Sequence, residues 1–252
     1  MDRFDIYQQI AQRTNGDIYI GVVGPVRTGK STFIKRFMDL LVIPNITDTF
    51  ERDRAIDELP QSASGKTIMT TEPKFIPNEA ANITIDGNIS LRVRLVDCVG
   101  YLVSGALGHL ENDTPRMVDT PWFEEKIPFG QAAEIGTKKV ITEHSTIGLV
   151  ITTDGSITDI PREEYIEAET RVISEIKSTG KPFAIILNSA EPSSDEATYI
   201  ADELRSNYNV PVLPVNCSTM TQDDINNIMQ TLLYEFPIME IGINIPTWMV
   251  SL

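Results

Sequence analysis

Cysteine and histidine are both scarce in this chain, with two of each among 252 residues. Cys98 and Cys217 lie in apolar, strand-like stretches, which predicts buried thiols in a reducing cytoplasm and argues against a disulfide framework. His109 and His144 have no cysteine or carboxylate partner at metal-ligand spacing. The sequence therefore offers no dedicated site for a transition metal.

Basic residues and long apolar runs are also in short supply. Lys and Arg number 21 against 36 Asp and Glu, which gives a net charge of −15. This balance argues against binding nucleic acid by neutralising phosphates, and against direct adsorption to anionic lipid. No apolar run approaches the length of a bilayer span, and the acidic, amphipathic start at residues 1–7 is unlike a signal peptide. We expect no nucleic-acid partner and no transmembrane segment.

What the chain does have is a phosphate-binding loop at residues 24–32, because residues 24–31 fit the pattern G-x-x-x-x-G-K-[ST]. Backbone N–H groups of such a loop surround phosphate oxygens, its lysine reaches the β- and γ-phosphates, and its serine holds Mg²⁺. Lys30 and Ser31 occupy these two positions. The residues of the loop that we expect to bind nucleotide are Gly24, Arg27, Thr28, Gly29, Lys30, Ser31 and Thr32.

The flanking segments give this loop the context that it needs. Residues 18–23 form a short apolar run, which suits a buried parallel strand. After the loop, Ile34, Phe37, Met38 and Leu41 recur on one face of a helix. Strand, glycine loop and helix together indicate nucleotide binding rather than a chance match on a surface turn.

A second motif, Asp97-Cys98-Val99-Gly100, follows a strand about 70 residues further on. A carboxylate at the end of a strand beside a phosphate loop holds Mg²⁺, usually through water, so Asp97 is our candidate. Gly100 would bring its N–H to the γ-phosphate. The turn at Asp86-Gly87 predicts an antiparallel hairpin before this strand, which is typical of GTPase-like phosphate-loop proteins.

The long polar segment at 44–73 is placed where nucleotide switches carry their first mobile loop. A threonine of that loop binds Mg²⁺ and senses the γ-phosphate, and Thr70 and Thr71 are the candidates. Ordinary threonines at the edge of a strand are the alternative.

From residue 131 onwards, apolar strands alternate with amphipathic helices. This pattern predicts an α/β fold with a mainly parallel sheet and helices on both faces, of the GTPase-like (translation-factor-related) class of phosphate-loop NTPases. We expect one such domain over 1–235, and a strand-like tail at 236–252 that leads toward a missing C-terminal region. After the second motif comes a long insertion at 101–130. We expect it to form either an ordered lid or contact surface, or a simple apolar segment that packs on the domain.

The segment expected to recognise the nucleotide base departs from the GTPase pattern N-K-x-D, which binds guanine. Asn188 is retained, but Ser189 replaces the lysine that packs on the base, and Glu191 stands near the place of the aspartate. Because a mismatched polar group can abolish discrimination, the sequence weakens the GTP interpretation and leaves ATP open. Asn188 itself remains a predicted nucleotide-binding residue at the carboxyl edge of the sheet.

The chain resembles the stage IV sporulation protein A family, bacterial spore-coat morphogenetic ATPases, in residues 22–33, 65–75, 95–101, 120–122 and 143–148. The resemblance implies ATP as substrate, Mg²⁺ as cofactor, and hydrolysis that drives self-assembly into a layer on the outer forespore membrane. It places the Walker A residues at Lys30 and Ser31, the Walker B aspartate at Asp97 and the sensor threonines at Thr70 and Thr71.

The same resemblance implies partners and a location. The partners are further copies of the chain, a small amphipathic membrane-bound sporulation protein and other coat proteins. The location is the mother-cell cytoplasm, peripheral to the forespore membrane. A regulatory GTPase and a nucleotide-binding scaffold without turnover remain alternatives. Tyr101 stands where the water-positioning glutamine is usual, so we expect slow turnover, with Arg27 either a charge stabiliser or a solvent-facing side chain.

Overall fold

The computed structural model describes residues 3–60, 72–106, 110–111 and 114–237. Thr70 and Thr71 lie outside these residues, as do His109 and all but the first two residues of the tail predicted at 236–252. Among the helices of the described ranges, none combines the length and the apolar character that a membrane crossing requires.

The elements follow the strand–helix alternation that the sequence predicts. The helices are α1 (Arg3–Thr14), α2 (Lys30–Phe37), α3 (Thr49–Asp57), α4 (Phe129–Lys139), α5 (Ile166–Ser178), α6 (Asp195–Tyr208) and α7 (Gln222–Glu235). The strands are β1 (Asp17–Val23), β2 (Lys74–Ile85), β3 (Ile89–Asp97), β4 (Leu110–Glu111), β5 (Thr114–Pro115), β6 (Met117–Thr120), β7 (Phe123–Pro128), β8 (Ile147–Thr153), β9 (Phe183–Asn188) and β10 (Val212–Val215).

Six of these strands form one sheet in the order β10-β9-β8-β1-β3-β2. The neighbours from β10 to β3 are all parallel, and only β2 pairs antiparallel, with β3. The β2–β3 pair is the hairpin predicted at Asp86-Gly87, whose two turn residues have φ values of 49° and 74°. The predicted mainly parallel sheet is therefore confirmed.

Helices cover both faces of this sheet, because its central strands are apolar on both sides. On one face Ile20, Leu149 and Ile151 pack in a core with α1, α2 and α7. On the other face Val23 and Val150 pack in a second core with α5, α6 and the helical turn Val140–His144 that follows α4. The carboxyl ends of β1, β3, β8 and β9 meet at one edge, which is where such sheets bind ligands.

The outer edge of β2 is covered by α3. Glu51 of that helix and Glu58, which directly follows it, accept hydrogen bonds from the strand's backbone, at 2.8 Å from Asn82 N and at 2.7 Å from Asn78 N respectively. Ile46, just before the helix, forms a further bridge with Ile83. Two of the backbone donors that would face solvent on this edge strand are thus already occupied.

The opposite edge, β10, is short and contains Pro214, which has no N–H to donate. The guanidinium of Arg205, on α6, donates to the carbonyl of Val212 at 3.1 Å. Each edge of the central sheet therefore has backbone groups that are bonded to side chains instead of to a further strand.

The predicted insertion ends at Pro128, because α4 begins at Phe129, which is buried in the domain. Before that helix, β6 and β7 pair as an antiparallel hairpin. Phe123 of the hairpin is half exposed, and the Trp122 ring lies 5.9 Å from the ammonium of Lys139 on α4. The base of the insertion is thus part of the core, whereas its hairpin carries exposed apolar groups.

Candidate active site

The predicted phosphate loop connects β1 directly to α2, which begins at Lys30. Gly29 immediately precedes the helix, and a side chain there would collide with the amide of Asn188, at 2.2 Å from its Nδ2. Thr28 is fully buried, and its hydroxyl donates to the carbonyl of Pro25 at 3.0 Å. The loop is therefore held in shape by its own hydroxyl and by a side chain from β9.

Lys30 lies inside the loop, with 5% of its surface exposed. Its Nζ donates to the carbonyl of Pro25 at 2.6 Å and lies 3.5 Å from that of Gly24. Burial lowers the pKa of this ammonium, and the nearby Cys98 and Asp97 side chains oppose that shift. A buried cation whose partners are neutral carbonyls is poised to bind an anion such as a phosphate.

Asp97, at the end of β3, faces Ser31, at the start of α2. The Ser31 hydroxyl donates to Asp97 Oδ2 at 2.6 Å, whereas Asp97 Oδ1 is buried and has no hydrogen-bond partner in the part of the chain that the structure describes. Burial raises the pKa of Asp97, and the Ser31 hydrogen bond and the Lys30 charge oppose it. A carboxylate with one orphaned oxygen beside a hydroxyl fits Mg²⁺, which takes one or two protein oxygens and several waters.

Gly100 brings the second motif against the phosphate loop. Its φ is +94°, and a side chain there would lie 2.1 Å from the Gly24 carbonyl and 2.7 Å from Lys30 Nζ. Only glycine fits this position, since both the backbone angle and the space exclude a Cβ. The backbone of Gly100 therefore lies against the two residues that the sequence assigns to phosphate binding.

Asn188 connects three loops at this edge. Its Nδ2 donates to the carbonyl of Thr28 in the phosphate loop at 3.0 Å, and its Oδ1 accepts from Cys217 N, after β10, at 3.0 Å. The side chain is buried. Its hydrogen bonds are thus used to join the phosphate loop to the segments after β9 and β10.

The two residues that replace the guanine reader have different surroundings. Ser189 is fully buried, and its hydroxyl accepts from Glu191 N at 3.0 Å. Glu191 itself is exposed. A short buried hydroxyl cannot supply the long apolar stem that lysine lays on a base in N-K-x-D proteins. This arrangement agrees with the interpretation that the usual guanine reader is missing.

The structure brings Gly24, Lys30, Ser31, Asp97, Gly100 and Asn188 together at the carboxyl edge of the sheet. Thr32 lies within α2, one residue beyond Ser31. Arg27 is partly buried and has a left-handed φ of 63°. Burial raises the pKa of Tyr165, and the nearby charge of Arg27 opposes that shift. The assignment of Thr70 and Thr71 as γ-phosphate sensors concerns residues outside the described ranges and stays a prediction.

Sequence reasoning missed the segment after β8, which also lines this edge. The Ser156 hydroxyl accepts from Ala190 N at 2.9 Å, and Asn216 Nδ2 donates to the carbonyl of Ala190 at 3.1 Å. Each of these side chains follows the end of a buried parallel strand. That common placement was a usable signal, because such strand ends converge on one edge.

A buried ion pair supports the same segment and was also missed. Glu169 of α5 is 1% exposed and receives two hydrogen bonds from Arg162, at 2.7 and 2.9 Å. The hydroxyl of Thr152, near the end of β8, donates to the same carboxylate. Nothing in the local sequence distinguishes these charges from the many exposed ones.

Comparison with known proteins decides the family. The model of the family described as stage IV sporulation protein A, ATPase domain, matches residues 1–237. The chain belongs to this family. The resemblance noted from the sequence is thereby confirmed, and membership of the stage IV sporulation protein A family makes this an ATPase domain.

Curated relatives agree with the family assignment. Stage IV sporulation protein A of Bacillus subtilis (strain 168) is 55% identical over 252 residues, which are 100% of this chain and 51% of that protein. The protein of the same name in Clostridioides difficile (strain 630) is 57% identical over 248 residues, 98% of this chain and 50% of that protein. The chain spans about half the length of the curated relatives it matches.

Solved structures are similar only at a distance. A variant of SsGBP is 15% identical, with a TM-score of 0.46 over 94% of this chain and 64% of that chain. The Roco2 RocCORdC protein of Methanosarcina barkeri, bound to GDP, is 11% identical, with a TM-score of 0.44 over 87% and 50%. Likenesses of this strength carry no information about the nucleotide of a stage IV sporulation protein A ATPase domain.

Proposed function

We propose that this domain binds Mg²⁺ and ATP at the carboxyl edge of its sheet, and that hydrolysis drives self-assembly of a spore-coat basement layer on the outer forespore membrane. The observation that carries the proposal is the Ser31–Asp97 pair beside the buried ammonium of Lys30. These groups form one cation-binding and one anion-binding position side by side, which is what a metal-bound triphosphate needs.

The residues of the chain would divide the work as follows. Lys30 turns from the Pro25 carbonyl to the β- and γ-phosphates, together with the backbone N–H groups of the loop. Ser31 and Asp97 would hold Mg²⁺, and the ion when bound would neutralise charge on the phosphates. Thr70 and Thr71 would complete this set from the segment before β2.

Hydrolysis at this site should be slow. The residue after Gly100 is Tyr101, whose ring is buried and whose phenol donates to Glu175 of α5. The side chain therefore does not supply the amide that usually orients the attacking water. This observation also favours the second candidate, a scaffold that binds nucleotide without turnover. Phosphate release measured with ATP and with GTP separates the two functions, and also tests the GTPase alternative.

The wider role rests on family membership alone and is proposed for the whole protein. Its partners would be further copies of itself, a small amphipathic membrane-bound protein and other coat proteins. The location would be the mother-cell side of the forespore membrane, as a peripheral layer. Sedimentation of the purified chain with and without ATP tests whether the described domain assembles alone, and retention on vesicles carrying the small membrane protein tests the docking.

The decisive test of the site is Lys30→Ala, with Lys35→Ala as control, because Lys35 is exposed on the same helix. Loss of the charge-assisted hydrogen bonds of Lys30 is worth about 1.5–3 kcal/mol, or roughly 10- to 150-fold in ATP affinity. Isothermal titration calorimetry in Mg²⁺ measures it. Unchanged ATP affinity in Lys30→Ala would remove Lys30 from the site, and an equal loss in Lys35→Ala would point to a nonspecific charge effect.

A further inference from the structure

Tyr101 is joined to the phosphate loop through its backbone. Its N–H donates to the Gly24 carbonyl at 3.3 Å, and its carbonyl accepts from Val26 N at 2.8 Å. Between these two bonds lies Pro25, which forms a parallel bridge with Tyr101 and accepts from Lys30. The phosphate-binding lysine and the residue after Gly100 therefore contact the same short stretch of backbone.

The side chain of Tyr101 is joined to α4 and α5. Its phenol donates to Glu175, and the guanidinium of Arg171 lies 4.9 Å from the centre of its ring. Arg171 in turn pairs with Glu134 of α4 at 2.8 Å. Burial and the neighbouring Glu175 raise the pKa of Tyr101, so the phenol stays protonated and remains a donor. We call these four residues (Tyr101, Glu134, Arg171 and Glu175) the clasp.

The clasp fixes both ends of the insertion at one place. Tyr101 begins the insertion, and Glu134 lies one turn into α4, the helix that follows it. Phe129 N also donates to the carbonyl of Arg116, so the start of α4 is bonded to the residue before the β6–β7 hairpin. A displacement of Tyr101 against α5 would therefore reach the hairpin through α4.

We propose that Tyr101 is a positioning residue that transmits nucleotide binding from the phosphate loop to the β6–β7 hairpin through the clasp. The inference rests on the proposed function, because it needs a phosphate at Lys30. When Lys30 leaves the Pro25 carbonyl for a phosphate, the backbone that Tyr101 pairs with loses one of its hydrogen bonds. Gly100, which has no space for even a Cβ against Gly24, must follow any movement of that backbone. Glu175 and Arg171 then receive the displacement.

Trp122 provides the reporter for this coupling, since it lies in the hairpin against Lys139 of α4. The other of the two tryptophans is Trp248, so Trp248→Phe gives a parent with a single indole. Its emission is followed on addition of Mg²⁺ and a non-hydrolysable ATP analogue, and the analogue's affinity is measured by calorimetry. Tyr101→Phe removes only the phenolic hydroxyl, and Tyr199→Phe, at an exposed tyrosine on α6, is the matched control.

We expect the analogue to change Trp122 emission in the parent and in Tyr199→Phe. The change should fall at least twofold in Tyr101→Phe, while affinity stays within about threefold because no group that touches the nucleotide is lost. A purely structural role would instead lower affinity and emission change together. An emission change in Tyr101→Phe as large as in the parent would overturn the inference. So would an unchanged Trp122 emission in a parent that binds the analogue.

A second pair of variants keeps the test independent of the folding of Tyr101→Phe. Glu175→Gln retains an oxygen that accepts from the phenol and should preserve the emission change, whereas Glu175→Leu should lose it. Equal behaviour of the two variants would contradict the clasp. A parent that binds no analogue at all would overturn the proposed nucleotide site together with this inference, whereas binding without an emission change would overturn this inference alone.

Discussion

Replacing Asn188 with alanine should destabilise the fold and weaken the nucleotide site at the same time. The two hydrogen bonds of this side chain satisfy the Thr28 carbonyl and the Cys217 N–H. Both of those residues are fully buried, at 0% exposure. Alanine leaves both backbone groups without that partner. A buried unsatisfied group costs about 1–3 kcal/mol, and a water in the space left would recover part of the cost.

We therefore expect Asn188→Ala to lose about 2–4 kcal/mol of unfolding free energy. For a chain of this size, 1 kcal/mol corresponds to roughly 2–4 °C, so Tm should fall by about 4–16 °C. Thermal unfolding followed by circular dichroism measures the shift, and Asn88→Ala, at the exposed β2–β3 turn, is the matched control. ATP affinity should fall as well, because the Thr28 carbonyl belongs to the phosphate loop.

Three results would contradict a stabilising role of the two Asn188 hydrogen bonds or the link from them to ATP binding. If Asn188→Ala unfolds within about 1 °C of the unaltered chain, then the two hydrogen bonds contribute no net stability. If stability falls as expected but ATP affinity does not, the side chain is a structural link only. A drop of the same size in Asn88→Ala would show that the assay is not reporting on the buried bonds.

Two further predictions concern buried ionisable groups. Arg162→Ala should lower the free energy of unfolding in urea by about 3–5 kcal/mol, because it leaves the buried carboxylate of Glu169 without its partner. Arg54→Ala, at an exposed ion pair, is the control and should lower it by less than about 1 kcal/mol. Similar losses in the two variants would contradict the burial argument. Burial raises the pKa of Cys98 to about 11 and that of Cys217 to about 12. Above about pH 9 the unfolded thiols ionise while the folded ones keep their protons, so stability should fall as pH rises, by at most about 1.4 kcal/mol per pH unit for each thiol. Replacing both with alanine should flatten that slope in urea titrations between about pH 9 and 11, and an unchanged slope would assign it to other groups.

The features that could be predicted from the sequence are those written in contiguous residues. The phosphate loop is one run of nine residues between an apolar strand and an amphipathic helix, so the motif carries its own context. The positions of Asp97 and Asn188 in the site could be predicted from the sequence for a different reason. Each stands at the end of an apolar strand, and parallel strands bring such ends to one edge.

The features that sequence reasoning missed depend on pairs distant in the chain. Tyr101 and Glu175 are separated by 74 positions, and no local periodicity indicates that they meet. The absence of a glutamine at Tyr101 was visible, but the direction of its side chain toward α5 was not. The pairing of Arg162 with Glu169 likewise depends on how a short 3₁₀ turn leads into α5, which is a matter of backbone geometry rather than composition.

The covered edges of the central sheet restrict how copies of this domain can join. Glu51 and Glu58 occupy backbone donors of β2 on one side, and on the other β10 offers a proline and a carbonyl already held by Arg205. A second copy cannot extend the sheet by adding a strand without first displacing these groups. Among the residues that the structure describes, this leaves the helix faces and the β6–β7 hairpin as surfaces for assembly. Contacts there would be made by side-chain packing rather than by a continuous, fibre-like sheet.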